Sequence, residues 1–563
     1  MENPTPVQTQ QNSSQKPSRF GILLIKPSRY DDDGYVVQWW KSIGPAHSMA
    51  AVWGIVEDAA NRQVMGLNVS VEIDGVNEMT TRVDAKKLGK KLKAFDRALV
   101  MMVGVQTNQY PRSVDLARQF IAQGIPVAIG GFHVSGTMAL TPDWEYGALQ
   151  SAQDEGITLY AGELETGVDE LMRDAWNGTL KPMYDKSDDL ADMSKAPLPK
   201  LLTPKQRKMK IDVATMDMGR GCPFKCSFCS VINVSGNKMR SRDPAAIEVY
   251  LRQCIDQGTH RLLLVDDNFA RLREWREILD VFIKLHKETG IEWDCFVQLD
   301  TQSHRIPGFV EKAREAGCTR VFIGIEAVRS DNLLAVGKKH NKVQAMHDMA
   351  MAWKKAGIFI FGTLIVGFDH DTPELMKQDI RFIQDNVPID ILITTVLTPL
   401  PGSMDHKHAV EAGVKLDPDL NEYDTTHAVF DHPLMSKEEW NQTYLDLYDW
   451  FYTPEHIEKI FTQALENGIS VKELIQVMMA FYGSPRFEKS HPYVYGLVRF
   501  KSRIDRRPGR EIEPIWRFYP RRMWEVSKSL VGHVGLYLHL LKIARRARKA
   551  VKRRSPLIKV EQI

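Results

Sequence analysis

No stretch of about 18 consecutive apolar residues occurs in the 563-residue chain, so no transmembrane helix is expected. Residues 1–18 also lack an apolar core and are rich in Gln, Ser and Pro, which argues against a signal peptide and for a disordered tail. Cysteine is scarce. Six residues in such a length cannot make a disulfide framework, and they point to a reducing, cytoplasmic setting. Cys254, Cys295 and Cys318 stand singly in apolar or mixed surroundings and read as small core residues. Cys222, Cys226 and Cys229 crowd within eight positions, as in metal or cluster binding. Internal repeats at solenoid periods are also missing.

What the chain does contain is alternation. From Phe20 to Asp185, short β-rich runs (FGILLIKPS, NVSVEID, ALVMMVGV, PVAIGG) alternate with helical spacing such as SMAAVWGIVEDA and SVDLARQFIAQ. That pattern predicts parallel βαβ units in a Rossmann-like, doubly wound α/β domain over 19–185. Such a sheet binds its ligand at the carboxyl ends of its strands. Residues 186–210, rich in Pro and Lys, read as a linker. Six further β/α units follow over 211–405, with candidate strands at 213–219, 261–267, 292–299, 320–326, 358–368 and 390–399. Six without a clear seventh or eighth predict a partial, open (β/α)6 barrel of TIM type, with its chemistry on the loops after the strands. Residues 406–563 read as a mostly helical region with a basic tail and no strand alternation.

Directly after the first barrel strand stands GRGCPFKCSFCS, 219–230. Thiolates at Cys222, Cys226 and Cys229, spaced C-x3-C-x2-C, can hold three irons of a cuboidal cluster and leave one iron without a protein ligand. Structural zinc is the alternative, but it would want a fourth ligand, and no second cysteine pair exists. The segment resembles the signature of the radical S-adenosylmethionine (SAM) superfamily. The resemblance covers roughly 213–405 and implies a 4Fe-4S cluster that passes an electron to SAM, releasing methionine and a hydrogen-abstracting 5′-deoxyadenosyl radical. It also implies an external electron donor of the flavodoxin or ferredoxin type. By the same resemblance Phe228 lies near the adenine, Asp266, Asp267 and Asn268 near the methionyl end, Glu326 at the ribose, and Thr398 with Pro399 near the adenine. Gln298 ends the third strand. Each has a bland alternative as a cap, turn residue or surface carboxylate. GTLIVGFDHDT departs from the family's glycine-rich motif, so Gly362 and Gly367 can equally be relieving crowding at a strand.

The first block resembles the cobalamin-binding domain that precedes many radical SAM enzymes, through KPSRYDDDGY (26–35), QTNQYPRS (106–113), IGGFHVSG (129–136) and LYAGELE (159–165). Gly130 and Gly131 would then let backbone approach the corrin closely. D-x-H-x-x-G, through which some cobalamin proteins ligate cobalt, does not occur. His133 stands in H-x-x-G, but Gly131 replaces the Asp, so contact with the corrin or its tail is expected rather than ligation. A domain that binds no cofactor and only docks the barrel is the alternative. Trp39 and Trp40 read either as a cover over a ligand or as core aromatics.

Charge is unevenly spread. The formal net of +3 divides into 19 Lys and Arg against 5 Asp and Glu from Arg499 onward, and a net −11 before it. Residues 530–541 are apolar but too short to span a bilayer, and eight Lys and Arg follow between Lys542 and Arg554 without an acid. The readings are an interfacial helix on anionic lipid, at the inner face of the membrane, or a solvated tail behind a packed helix. Interleaved aromatics are too sparse in the basic run to favour nucleic acid.

Together these readings predict a cobalamin-dependent radical SAM methyltransferase acting on an unactivated carbon of a small-molecule or lipid-like substrate. The alternatives are a radical rearrangement, ring closure or carbon–carbon coupling without methyl transfer, and a non-enzymatic cobalamin- or redox-responsive cluster protein.

Overall fold

In the computed structural model, residues 17–142, 148–338, 341 and 345–554 are described. The disordered tail expected over 1–18 lies almost wholly outside them. Sixteen strands run in chain order: β1 (Ser18–Lys26), β2 (Gln38–Ser42), β3 (Val69–Asn77), β4 (Arg97–Met102), β5 (Val127–Gly130), β6 (Thr158–Gly162), β7 (Met183–Lys186), β8 (Ala214–Met216), β9 (Gly219–Arg220), β10 (Arg240–Ser241), β11 (Arg261–Leu264), β12 (Asp294–Leu299), β13 (Cys318–Glu326), β14 (Phe359–Val366), β15 (Ile391–Val396) and β16 (Gly496–Phe500).

The first sheet has the order β3-β1-β4-β5-β6-β7 and is parallel throughout. Phe20 to Ile25 of β1 are buried on both faces, which is why this strand reads as an unbroken apolar run. Strand order reverses between β1 and β4, which opens a crevice at their carboxyl ends. Residues 186–210 are less free than a linker. Leu201, Leu202 and Arg207 are buried, and the Lys200 amide donates to the Ala50 carbonyl at 2.8 Å.

The second sheet runs β15-β14-β13-β12-β11-β8, again all parallel, as six β/α units of an open barrel. Its β15 edge is covered. Tyr452 and Tyr448, from the helix Lys437–Phe451 and just beyond, accept from the Leu392 and Thr394 amides at 3.0 and 3.3 Å. Edge amides that would otherwise be open to pairing are thereby satisfied. Cys254, Cys295 and Cys318 are core residues, as their apolar surroundings implied.

The last third is mostly helical, as expected, with one strand, β16, which pairs antiparallel with β2. This pairing buries Trp39 against Tyr495, with ring centroids 5.1 Å apart, and leaves Trp40 exposed. The basic end is part of one 40-residue helix, Ile515–Arg554. Leu536, Leu540, Ile543, Ala544, Ala547 and Val551 of that helix are buried in the barrel-side core.

The loop after β1 is clasped from the third block. Asn421 bonds the Tyr30 backbone in both directions, at 3.0 and 3.2 Å. Asp424 pairs Arg29 at 3.0 Å, and His427 meets Asp424, Glu422 and Asp32 at 3.0 to 3.8 Å. Burial disfavours charge on His427, but these carboxylates outweigh it and hold the imidazole up at about 9 against an ordinary 6.5. A raised folded-state value means that this contribution is complete below about pH 6.5 and is lost as pH rises through about 9. His427→Gln is expected to melt lower than the parent at pH 6 by about 2–4 °C and to converge with it by pH 10, as followed by differential scanning fluorimetry.

Candidate functional site

The loop carrying the three thiols leaves the β8–β9 turn at the mouth of the barrel. Its amides are held by the end of the neighbouring strand: Gly219 donates to Asp266 at 2.7 Å and Gly221 to Asp267 at 3.2 Å. Gly221 has φ +96°, and a Cβ there would lie 2.4 Å from the Lys238 carbonyl, so only glycine fits this turn. Further along, the Ser227 amide donates to Val336 and the Asp405 amide to Ser227, at 3.1 and 3.0 Å. Burial raises all three thiols, Cys226 to about 11 and Cys229 to about 12. They are therefore neutral until iron displaces their protons. The three cysteines are half-buried on one loop, and their C-x3-C-x2-C spacing fits a cluster that keeps one iron open.

The strand-end residues fall into two groups. Asp266 and Asn268 are buried. Burial raises the Asp266 carboxyl well above its usual range and the Asp267 carboxyl to about 6. Asn268 donates to Asp300 at 3.1 Å, and Arg271 clamps Asp300 at 2.7 and 2.8 Å. This set braces the loop. The other group faces the barrel interior around Glu326, which has φ +66°. Glu326 accepts from Lys338 at 2.6 Å and Thr363 at 2.8 Å. Lys338 also donates to the Gly324 carbonyl at 2.9 Å and lies 5.9 Å from the centre of the Phe228 ring. A Cβ on Gly324 would lie 2.3 Å from the Glu326 carboxylate. Phe228 and Glu326, 98 positions apart, are thus joined by Lys338, a residue that no motif singles out.

Gln298 is half-buried on β12, level with Phe322. Below the polar group, Phe296, Phe322 and Phe361 form an aromatic lining, with Phe296 and Phe361 4.8 Å apart. Phe481 and Tyr493 close it from the third block, 5.2 Å from Phe361 and 6.0 Å from Phe322. Tyr493 stays 45% accessible, and desolvation raises its hydroxyl well above the usual range. Thr398 is buried and bonds its own chain at Val396, 3.0 Å away, which is the bland role of a turn residue. Gly362 packs on Ile389 and Ile325, and Gly367 on Trp440, so both relieve crowding.

A cavity of about 310 Å3 opens at the switch point of the first sheet. Its inner wall is apolar, with Ile55, Met101, Ala128 and Leu171, while Gly104, Gly130, Gly131 and Lys26 border it. Burial lowers Lys26 to about 8. Gly131, at φ +148°, lies so close to Val105 that a Cβ would come within 2.1 Å of its amide. His133 is not among the residues lining this cavity. It is fully buried, its ring 4.3 Å from that of Tyr110 and its Nδ1 3.4 Å from Thr107. The barrel side of the same cavity is formed by Arg220, Val234 and Ser235, next to the thiol loop. The domains meet here at backbone distance: a Cβ on Gly136 would be 2.3 Å from the Pro401 carbonyl.

Arg220 is the ionic centre of that junction. It reaches Glu165 at 2.7 Å, Glu163 at 3.5 Å and Asp217 at 3.0 Å, while Arg240 holds Glu163 and Arg242 holds Asp217. Desolvation opposes its charge, but the carboxylates raise Arg220 well above its ordinary value. Arg220→Met would leave Glu165 without its cation and remove one of the two guanidinium partners of each of Glu163 and Asp217. It is expected to cost about 3–5 kcal/mol in urea unfolding, whereas Arg252→Met, which breaks exposed pairs with Glu248 and Glu288, should cost under about 1 kcal/mol.

Comparison with known proteins agrees with this geometry. The family model of the radical SAM superfamily matches residues 216–383. The chain is 26% identical over 370 residues to bacteriochlorophyllide d C-8(2)-methyltransferase of Chlorobaculum tepidum, covering 62% of this chain and 78% of the relative. It is also 26% identical over 292 residues to hopanoid C-2 methylase of Rhodopseudomonas palustris, covering 51% and 53%. Among solved structures, the fold resembles the radical SAM methyltransferase TsrM of Kitasatospora setae with cobalamin and a [4Fe-4S] cluster bound, at TM-score 0.58 and 15% identity over 80% of this chain and 95% of that one. It also resembles the cobalamin-dependent SAM radical enzyme OxsB, at TM-score 0.55 and 12% identity over 97% and 82%. With a three-thiol loop on an open parallel barrel and a doubly wound domain docked over it, the chain carries a radical SAM domain over residues 216–383 and shares its fold with cobalamin-dependent radical SAM enzymes.

Proposed function

We propose that this enzyme transfers a methyl group from cobalamin to an unactivated carbon of an apolar substrate. The observation that carries the proposal is the shared cavity, whose one wall is the strand ends of the first domain and whose other wall is Arg220, Val234 and Ser235 beside the thiol loop. The cofactors, when bound, supply the electron, the hydrogen-abstracting radical and the methyl group.

The chain's own residues position and shield. Cys222, Cys226 and Cys229 would hold the cluster, with the loop fixed from below by Asp266 and Asp267. Glu326 and Lys338, with Phe228 beside them, would receive the adenosyl part of SAM. The apolar inner wall at Ile55, Met101, Ala128 and Leu171 would take a flat base or the hydrophobic edge of cobalamin. The aromatic lining of Phe296, Phe322 and Phe361, closed by Tyr493, would hold an apolar substrate and exclude water that quenches radicals. Per methyl transferred, the atoms balance with two SAM and two electrons. One SAM leaves as methionine and 5′-deoxyadenosine, the other as S-adenosylhomocysteine, and the substrate exchanges a hydrogen for a methyl. An external one-electron donor of the flavodoxin or ferredoxin type completes the balance.

The test is an anaerobic assay of cluster-reconstituted protein with SAM, reductant and hydroxocobalamin, with products read by mass spectrometry. Formation of both 5′-deoxyadenosine and S-adenosylhomocysteine is expected. 5′-Deoxyadenosine alone, without retained cobalamin, would refute methyl transfer and favour a radical rearrangement or ring closure. Cys226→Ala is expected to lose most bound iron and all 5′-deoxyadenosine formation; a variant that kept both would remove the cluster assignment. Ala51→Trp, which fills the cavity from the helix His47–Asn61, should cut cobalamin retention on the order of 10-fold and leave iron content unchanged.

A further inference from the structure

The outward face of the C-terminal helix is apolar for most of its length. Trp516, Met523, Trp524, Leu530, Val531 and Leu538 are each more than half exposed, Trp516 at 76% and Trp524 at 70%. At 100° per residue these positions fall on one side, opposite the face that buries Leu536, Leu540 and Ile543. From Trp516 to Leu541 the stripe is about 38 Å long. Soluble surfaces scatter such residues singly, and a continuous stripe of this size marks a contact surface. No helix of the described residues is long and apolar enough to cross a membrane, so a contact along the surface is the geometry left to it.

The same outward side continues, past Leu541, into Lys542, Arg545, Lys549 and Lys552, all exposed. No Asp or Glu lies between Val526 and Arg554. Trp516, Tyr519, Trp524 and Tyr537 supply amphipathic rings of the kind that settle at headgroup depth. A second copy of the chain fits this face poorly. Side by side, two such helices would set basic end against basic end, and head to tail they would lay Arg and Lys on the apolar stripe.

We infer that this face docks the enzyme on an anionic lipid surface, with the helix lying in the interface plane. The basic run is one end of the contact, Leu536 and Leu540 of the 530–541 run are turned inward, and the apolar stripe begins fourteen residues earlier, at Trp516. The docking face is joined to the barrel interior by one short segment. Tyr493 faces the aromatic lining, Tyr495 bonds His533 of the helix at 2.9 Å, and Val498 and Phe500 emerge exposed beside Trp40. A lipid surface would thus lie next to the element that closes the substrate space. The docking itself is independent of methyl transfer.

The test is flotation of the full-length, cluster-containing protein with vesicles of phosphatidylcholine alone or mixed with phosphatidylglycerol. Binding to the anionic vesicles at least ~10-fold tighter than to neutral ones is expected, with part of it persisting in high salt because of the apolar stripe. Trp516→Glu and Trp524→Glu together should weaken binding at least ~10-fold while 5′-deoxyadenosine formation and the melting temperature stay at parental values. Trp516→Ser with Trp524→Ser is the milder pair should the charged one unfold. Absence of vesicle binding by the parent, or equal binding by both variant pairs, would overturn the inference. So would a parental dimer in light scattering that the variants convert to monomer, which would assign the face to a second copy.

Discussion

The whole arrangement turns on a single half-buried guanidinium. Arg220 sits two residues before the first cluster cysteine, and its partners Glu163 and Glu165 belong to the other domain. A buried ion pair adds little net stability, because desolvation offsets attraction, but removing one member is costly. Its value is therefore in fixing register between two sheets that were assembled independently. The carbonyl-to-glycine contact at Pro401 and Gly136 works the same way: two backbones approach so closely that only one docking position remains. The distance between the two cofactor spaces follows from these contacts.

Much of this was legible in the sequence. Parallel strands buried on both faces read as continuous apolar runs, so ten of the twelve strands of the two large sheets lay where runs such as FGILLIK and RVFIGIE had placed them, while the short β6 and β7 were not singled out. The thiol triad was legible because its spacing is local. The partners that give the site its shape were not. Lys338 and Thr363 are ordinary residues until folding brings them to Glu326, and nothing in their neighbourhoods distinguishes them. His133 stood in a suggestive motif, but its ring partner Tyr110, 4.3 Å away, comes from a segment 23 positions earlier that the motif does not include.

The last third was the least legible, for a physical reason. Apolar periodicity says that a face is covered, not by what. The helix Ile515–Arg554 carries Pro520 in its first turns and is apolar on two opposite sides, so its pattern reads as a short run with a tail. The pair β2 and β16 lies about 450 positions apart in the chain, and neither half is long enough to announce itself.

That last pairing has a consequence for how the molecule is made. Domains generally fold as they emerge during synthesis, amino-terminal end first. Here the first domain holds a strand whose only partner strand among the described residues is translated about 450 residues later. While those residues are being made, Trp39 lacks Tyr495, and β2 presents an edge without its partner strand, with Trp40 beside it. The nascent chain must be kept from pairing wrongly at that edge, and a message truncated anywhere before codon 496 would yield a first domain that never loses it.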